Sequence, residues 1–214
     1  MPKEVKRSTL ALVVLALLRT QPMHPYEVQQ KIRQWGKDQV IDVRQRSSIY
    51  RTIERLAAAG LVEVQGVERD AQRPERTVYA ITDRGSSVVH AWQMDILATP
   101  ASEFPAFPAA LSLLPVLPVE DVIEALTLRE AGLVERLAAL DAEVADAQRL
   151  EVPRLFLIET EYVRAVLVAE RDWVAELLGQ LRAGELTWDQ PWLQAAADKF
   201  AQLEAEGGLP PDRT

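Results

Sequence analysis

The apolar residues of the first eighty positions change their spacing once, at Gly60, from the period of a helix to that of a strand. Before that glycine, three segments carry apolar residues three and four apart. Leu10, Val13, Val14, Leu17 and Leu18 form one stripe behind Ser8, a residue type that caps helices. Val28 and Ile32 mark a second helix, opened by Pro25 and stopped near Gly36. Ile49, Ile53 and Leu56 are the inner stripe of a third, from Ser47 to Ala59, with Ser47 as its N-cap and Gly60 in the left-handed position beyond its end. After Gly60, Leu61, Val62 and Val64 begin a short strand, and Val78, Tyr79 and Ile81 a second, around a polar loop from Gly66 to Arg76. Thr82 caps a further helix through about Leu97. Three helices followed by a two-stranded hairpin is the order of a winged helix-turn-helix.

The remainder reads as helical. Pro100, Pro105, Pro108, Pro115 and Pro118 exclude a long regular element from 98–118. Phe104, Phe107, Leu111, Leu113 and Leu114 in that segment imply that it is partly packed. A long helix is expected from Val119 to about Arg149, with Leu126, Leu133, Leu137, Leu140 and Val144 on one side. Pro153 opens another, carrying Leu155, Ile158, Tyr162, Val166, Trp173, Leu177 and Leu181, and 191–206 forms a last short helix. The fold class is therefore mainly α: an N-terminal winged helix-turn-helix over 1–97, a Pro-rich connection over 98–118, and an α-helical C-terminal domain over 119–214.

Charge divides the chain near the same boundary. Residues 1–90 hold 15 Lys and Arg against 10 Asp and Glu, whereas 91–214 hold 9 against 22, within a net charge of -8. The first segment suits a polyanion and the second does not. Zero cysteines exclude disulfides, thiol catalysis and thiolate metal sites, and two histidines do not make a metal centre. Glu159 and Glu161 lie two apart on a helix, so they face different directions and make a poor acid/base pair. With no phosphate loop or nucleophile elbow either, neither an enzyme nor a cofactor is implied. The apolar run 10–18 is too short to span a membrane and nothing at the start reads as a secretory signal, so a cytoplasmic protein without a membrane partner is expected.

The third helix carries the candidate chemistry. Its outward positions are read as Ser48, Tyr50, Arg51, Thr52 and Arg55, with Arg44 and Arg46 just before it. The major groove is about 12 Å wide and admits one helix, whose side chains reach base edges and phosphates. Arg69, Arg73 and Arg76 of the hairpin suit phosphate or minor-groove contact, and Lys3, Lys6 and Arg7 form a basic arm. Glu54 opposes the charge of that face. His24, before a helix-starting proline, reads as a cap or packing residue. In the second half, Tyr162 and Trp173 fall eleven apart on one helix, roughly one face, with Trp92 as a third aromatic candidate. Such residues can line an apolar small-molecule pocket, although their commoner role is to fill a core or a dimer interface.

Pro22-Met23-His24-Pro25-Tyr26-Glu27-Val28, Ser47-Ser48-Ile49-Tyr50 leading to Ile53-Glu54-Arg55-Leu56, and Gly60-Leu61-Val62 resemble the PadR family of transcriptional regulators. Arg73-Pro74-Glu75-Arg76-Thr77-Val78-Tyr79, then Ile81-Thr82 and Gly85, are similar to that family's wing and exit helix. Phe107-Pro108-Ala109-Ala110-Leu111, Glu159-Thr160-Glu161-Tyr162 and Glu170-Arg171-Asp172-Trp173 extend the resemblance to the longer subfamily with a helical C-terminal domain. Pro25 stands where the family commonly has glycine, and Arg51 where it often has proline.

The resemblance implies a homodimer through the C-terminal helices, double-stranded operator DNA as partner, and repression of a nearby operon relieved by a small aromatic or hydrophobic effector. Together with the residue reading it gives a DNA-facing set of Lys6, Arg7, Tyr26, Arg44, Arg46, Ser47, Ser48, Tyr50, Arg51, Arg55, Arg73 and Arg76. The effector set is Trp92, Tyr162 and Trp173. The alternative is a winged-helix protein-interaction module without specific DNA binding.

Overall fold

The computed structural model describes residues 7–34, 46–70, 73–100 and 105–206, with backbone alone at 46–47, 67–70, 73–75 and 204–205. The chain divides into two compact units, Met1–Glu103 and Phe104–Thr214.

The first unit contains α1 (Thr9–Thr20), α2 (Pro25–Gln34), α3 (Arg46–Ala58), β1 (Val62–Asp70), β2 (Arg73–Ile81) and α4 (Asp83–Ala98). Ser8 caps α1 by accepting from the Ala11 N–H at 3.2 Å, and Thr82 caps α4 by accepting from the Gly85 N–H at 3.0 Å. Val14, Leu15 and Leu18 of α1, Val28 and Ile32 of α2, and Ile49, Ile53 and Leu56 of α3 share one core with Leu61, Val62 and Val89. Full burial of each such side chain is worth about 1.5–3 kcal/mol. On α1 the buried set is Ala11, Val14, Leu15, Leu17 and Leu18, while Leu10 and Val13 of the expected stripe are only partly covered. The stripe turns because α1 packs against α3, α4 and β2 together, so more than one face is enclosed. Helix α3 begins at Arg46, which puts Ser47 inside its first turn rather than at the N-cap.

The hairpin is longer than its hydrophobic pattern. β1 and β2 pair antiparallel from Val62 opposite Ile81 out to Asp70 opposite Arg73, with irregularities between Val64 and Gly66 and between Glu68 and Asp70. Most of the segment 66–76, expected as a loop, is therefore strand. Alternation marks a strand only while one face covers a core. Beyond Val64 the ladder carries on through mostly polar positions, with Val67 and Val78 the apolar ones, held by backbone hydrogen bonds that leave no periodic signal. A bridge unseen in the sequence adds to β2: the Met23 and Tyr79 backbones exchange two N–H to carbonyl bonds of 3.0 Å.

The second unit contains α5 (Ala106–Leu111), a 3-10 turn (Leu114–Val116), α6 (Val119–Arg149), α7 (Ile158–Ala183) and α8 (Gln190–Ala205). Arg129 meets Glu170, Arg164 meets Asp141, and Arg182 reaches Thr127. One number falls as the other rises, so α6 and α7 run antiparallel. Their seam buries Val122, Leu126, Leu133, Leu137 and Leu140 against Leu167, Val174, Leu177, Leu178 and Leu181, and Phe107, Leu111 and Leu114 pack on it. Two expectations shift here. Pro153 opens a 3-10 turn (Arg154–Phe156) and α7 starts only at Ile158, because the Phe156 and Leu157 amides bond three residues back. Of the apolar residues assigned to one side of α7, only Leu177 and Leu181 are buried; Leu155, Ile158, Tyr162, Val166 and Trp173 are exposed. Helix α7 carries two adjacent apolar rows, and α6 covers one of them.

Candidate nucleic-acid interface

The rotation of α3 is fixed from beneath. Ile49, Ile53 and Leu56 are fully or almost fully buried, and at about 100° per residue this turns Tyr50, Arg51, Glu54 and Arg55 outward. Tyr50 is 39% exposed, and Arg51 and Arg55 are exposed one turn apart, their Cα atoms about 6 Å apart along the axis. Ser48 is half-buried. Thr52, expected on the outward face, is 3% exposed. It lies three residues from Ile49 on the inner flank, and its hydroxyl accepts from the Arg55 guanidinium at 3.3 Å. That bond steadies the stem of one outward cation while its remaining donors stay available.

Both ends of this helix pair are fastened. At the end of α3, Gly60 takes φ +69°. Its N–H donates to the Ala57 carbonyl and the Leu61 N–H to the Leu56 carbonyl, each at 2.9 Å. This is the paired closure that a left-handed residue permits. The carbonyls of Ala59 and Gly60 are claimed from the start of the following helix: Arg84 donates to Ala59 O and the Thr82 hydroxyl to Gly60 O, both at 2.9 Å. At the start of α2, the Tyr26 N–H donates to His24 Nδ1 at 3.1 Å and the His24 N–H to Glu27 Oε2 at 3.0 Å. The imidazole also meets the Tyr50 ring edge-to-face, centroids 6.2 Å apart.

The other candidates are distributed as follows. Tyr26 is half-buried and its hydroxyl accepts from Gln30 Nε2 at 3.0 Å. Arg7 is ion-paired with Asp95 on α4. Arg76 is half-buried on β2. Arg46 and Ser47 lie in the first turn of α3 and Arg73 starts β2, described by backbone only, while Lys6 and Arg44 lie outside the described residues. Structure thus brings Ser48, Tyr50, Arg51 and Arg55 together on one helix.

The effector set is split between the units. Trp92 packs against the core of the first. Tyr162 and Trp173 stand on α7 of the second, 70% and 46% exposed. Trp173 meets Phe107 edge-to-face at 6.2 Å, and the Arg129 guanidinium carbon lies 3.4 Å from the Phe107 ring centre. Arg129 also donates to Glu170 through Nε at 2.7 Å. Nothing in the spacing of these residues signals that cluster, because its members come from three helices. Elsewhere on α6 and α7, hydrogen bonds from Arg164 and Arg154 hold the carboxyls of Asp141 and Glu161 below the usual carboxylate range. Among the described residues no three metal-ligating side chains cluster, and no helix is long and apolar enough to cross a membrane.

Residues 14–91, which include α2, α3, the hairpin and the first half of α4, match the transcriptional regulator PadR-like family. The chain carries a PadR-like transcriptional regulator domain. No curated protein sequence matches the chain. Solved structures share the fold around the PadR-like domain and beyond it. Bacillus subtilis PadR in complex with operator DNA matches with a TM-score of 0.67 at 16% identity, over 81% of this chain and 99% of that one. The same protein in complex with p-coumaric acid gives 0.65 at 14% identity, over 82% and 99%. The Vibrio cholerae virulence activator AphA gives 0.63 at 20% identity, over 82% and 99%. The correspondence spans the PadR-like domain and the helical unit that follows it.

Proposed function

We propose that the protein is a homodimeric transcriptional repressor of a nearby operon. Residues up to 97 would bind operator DNA, 98–118 connect, and the helices of 119–214 dimerise. The observation that carries the reading is the two-sided character of α3: a buried row of Ile49, Ile53 and Leu56 beneath an outward row of Tyr50, Arg51 and Arg55. The outward row enters the major groove, Arg51 and Arg55 taking guanine edges or phosphates and Tyr50 a base or phosphate. Ser48 and the residues just before it meet the backbone, and the β1–β2 wing carries Arg73 and Arg76 to the flanking phosphates. Two-fold symmetry then sets half-sites about 34 Å apart, one helical turn.

Support for a dimer comes from the uncovered row of α7 and the turn before it, where Leu155, Phe156, Ile158, Tyr162, Val166 and Trp173 are all exposed. A contiguous apolar strip of this kind is costly to leave in water and suits a second copy. The solved complex of a protein of the same fold with p-coumaric acid supports a small aromatic effector as the signal. Such an effector acts by binding the DNA-free arrangement more tightly than the DNA-bound one.

Fluorescence anisotropy tests this, with a duplex selected by the protein from a random pool and a scrambled control, at two salt concentrations. Selective binding that weakens steeply with salt is the expected result, because phosphate neutralisation releases counterions. Equal, weak binding to both duplexes would reject the assignment.

A further inference from the structure

We infer that His24 is a positioning residue for DNA recognition, holding the Tyr50 ring on the outward face of α3 in its reading orientation. The inference rests on the proposed role of α3 as the DNA-facing helix.

Two features fix the imidazole. His24 precedes Pro25, and contact with a following proline ring confines a residue to extended backbone, the conformation an N-cap requires. The cap is then closed reciprocally: His24 Nδ1 accepts from the Tyr26 N–H at 3.1 Å, and the His24 N–H donates to Glu27 Oε2 at 3.0 Å. This resembles a capping box, with Glu27 at N3 reaching back and an imidazole, bonded to the N2 rather than the N3 amide, where a hydroxyl is usual. Capping alone does not ask for histidine, since Asn, Asp and Ser perform it better. What the ring adds is its contact with Tyr50, at 6.2 Å between centroids and 77° between planes. That geometry lies within the preferred edge-to-face range of about 4.5–7 Å. Tyr50 is 39% exposed and precedes Arg51, so its ring would otherwise be free to choose among rotamers. A ring anchored to the first turn of α2 removes part of that freedom before DNA arrives, and preorganisation of this kind strengthens binding without a new contact.

The test uses the full chain and the duplex it selects from a random-sequence pool. His24→Asn keeps an acceptor for the Tyr26 N–H and removes the ring; His24→Ser is a second variant of the same design should the first misfold. The expected result is a melting midpoint close to the parent's with operator affinity reduced about three- to tenfold, the range of one aromatic pair. In a Tyr50→Ala background the same change should cost no further affinity, since a residue acting through Tyr50 has nothing left to position. His24→Phe, which keeps a ring and loses the acceptor, should lower the melting midpoint and retain most of the affinity. Parent-like binding by both cap-retaining variants overturns the inference, as do losses from His24→Asn and Tyr50→Ala that multiply. Arg51→Ala is measured beside them. If it weakens binding while His24→Asn does not, α3 still reads DNA and only the role of His24 falls. If it and Arg55→Ala are both silent too, the reading of α3 falls and the inference with it.

Discussion

Gly85 lies so close to Leu61 that a Cβ built on it would stand 2.1 Å from the Leu61 carbonyl oxygen. The same oxygen accepts the Thr82 N–H at 3.1 Å, so it cannot retreat without loosening the start of α4. Thr82 and Arg84 in turn hold the last carbonyls of the α3 closure. One close approach thus ties the outward helix, the first strand and the exit helix together. Gly85→Ala should destabilise the protein by about 3 kcal/mol, the upper range of overpacking, because the obstructing atom is backbone. Urea unfolding at constant slope checks it; a change below about 0.5 kcal/mol would mean that β1 and α4 separate freely.

Arg51 and Arg55 lie one turn apart on the exposed row of α3, and neither forms part of the core beneath. Arg51→Ala and Arg55→Ala should therefore weaken DNA binding by about 1–3 kcal/mol each where the side chain reads a base, while leaving dimerisation intact. An arginine that meets only phosphate should instead lower the salt slope by about 1 and weaken all sequences alike. Anisotropy against selected and scrambled duplexes separates the cases. Two variants that bind like the parent would move DNA recognition off α3.

The first unit was largely legible because its signals are local. Ser8, Thr82 and Gly60 mark helix ends through bonds to their own neighbours, and the period change at Gly60 marks the turn into the hairpin. What escaped depends on partners distant in sequence. The Met23–Tyr79 bridge joins residues with no shared pattern, and the outer hairpin has no core face to impose alternation. Thr52 looked outward by residue type, yet the row set by Ile49 takes it inward. On α7 the sequence offers apolar residues over a wide arc, and only packing against α6 decides which row is core. The Arg129, Phe107 and Trp173 cluster joins three helices and is invisible to periodicity.

Acid should act weakly and in one direction on the α6–α7 pair. Hydrogen bonds from Arg164 and Arg154 hold the carboxyls of Asp141 and Glu161 low. A depressed folded pKa gives stability that is present above the unfolded carboxylate value, about 4, and lost as pH falls through the lower folded value. Both pairs are exposed, so the stability change should be small and largely abolished by salt. Carboxyl-carbon NMR titration should find the Asp141 and Glu161 midpoints below the ordinary values of their side chains. Midpoints at the ordinary value would show that these ion pairs do not persist in solution.

The two apolar rows of α7 should respond differently to substitution. Leu178 is 1% exposed in the seam with α6, so Leu178→Ala should cost about 2–5 kcal/mol of folding stability, the range for deleting a buried leucine side chain. Val166 is 46% exposed on the uncovered row. An added carboxylate there keeps its water in a monomer and loses it in a dimer, so Val166→Asp should leave helix content intact and drive the dimer apart. Sedimentation across micromolar concentrations reads the second effect and urea unfolding the first. DNA affinity should fall with Val166→Asp as well, since two half-sites bound by one dimer share a single association step. If Val166→Asp sedimented as the parent does, the proposed dimer would have to use another face of the helical unit or be given up, and the exposed row from Leu155 to Trp173 would be left without its proposed occupant.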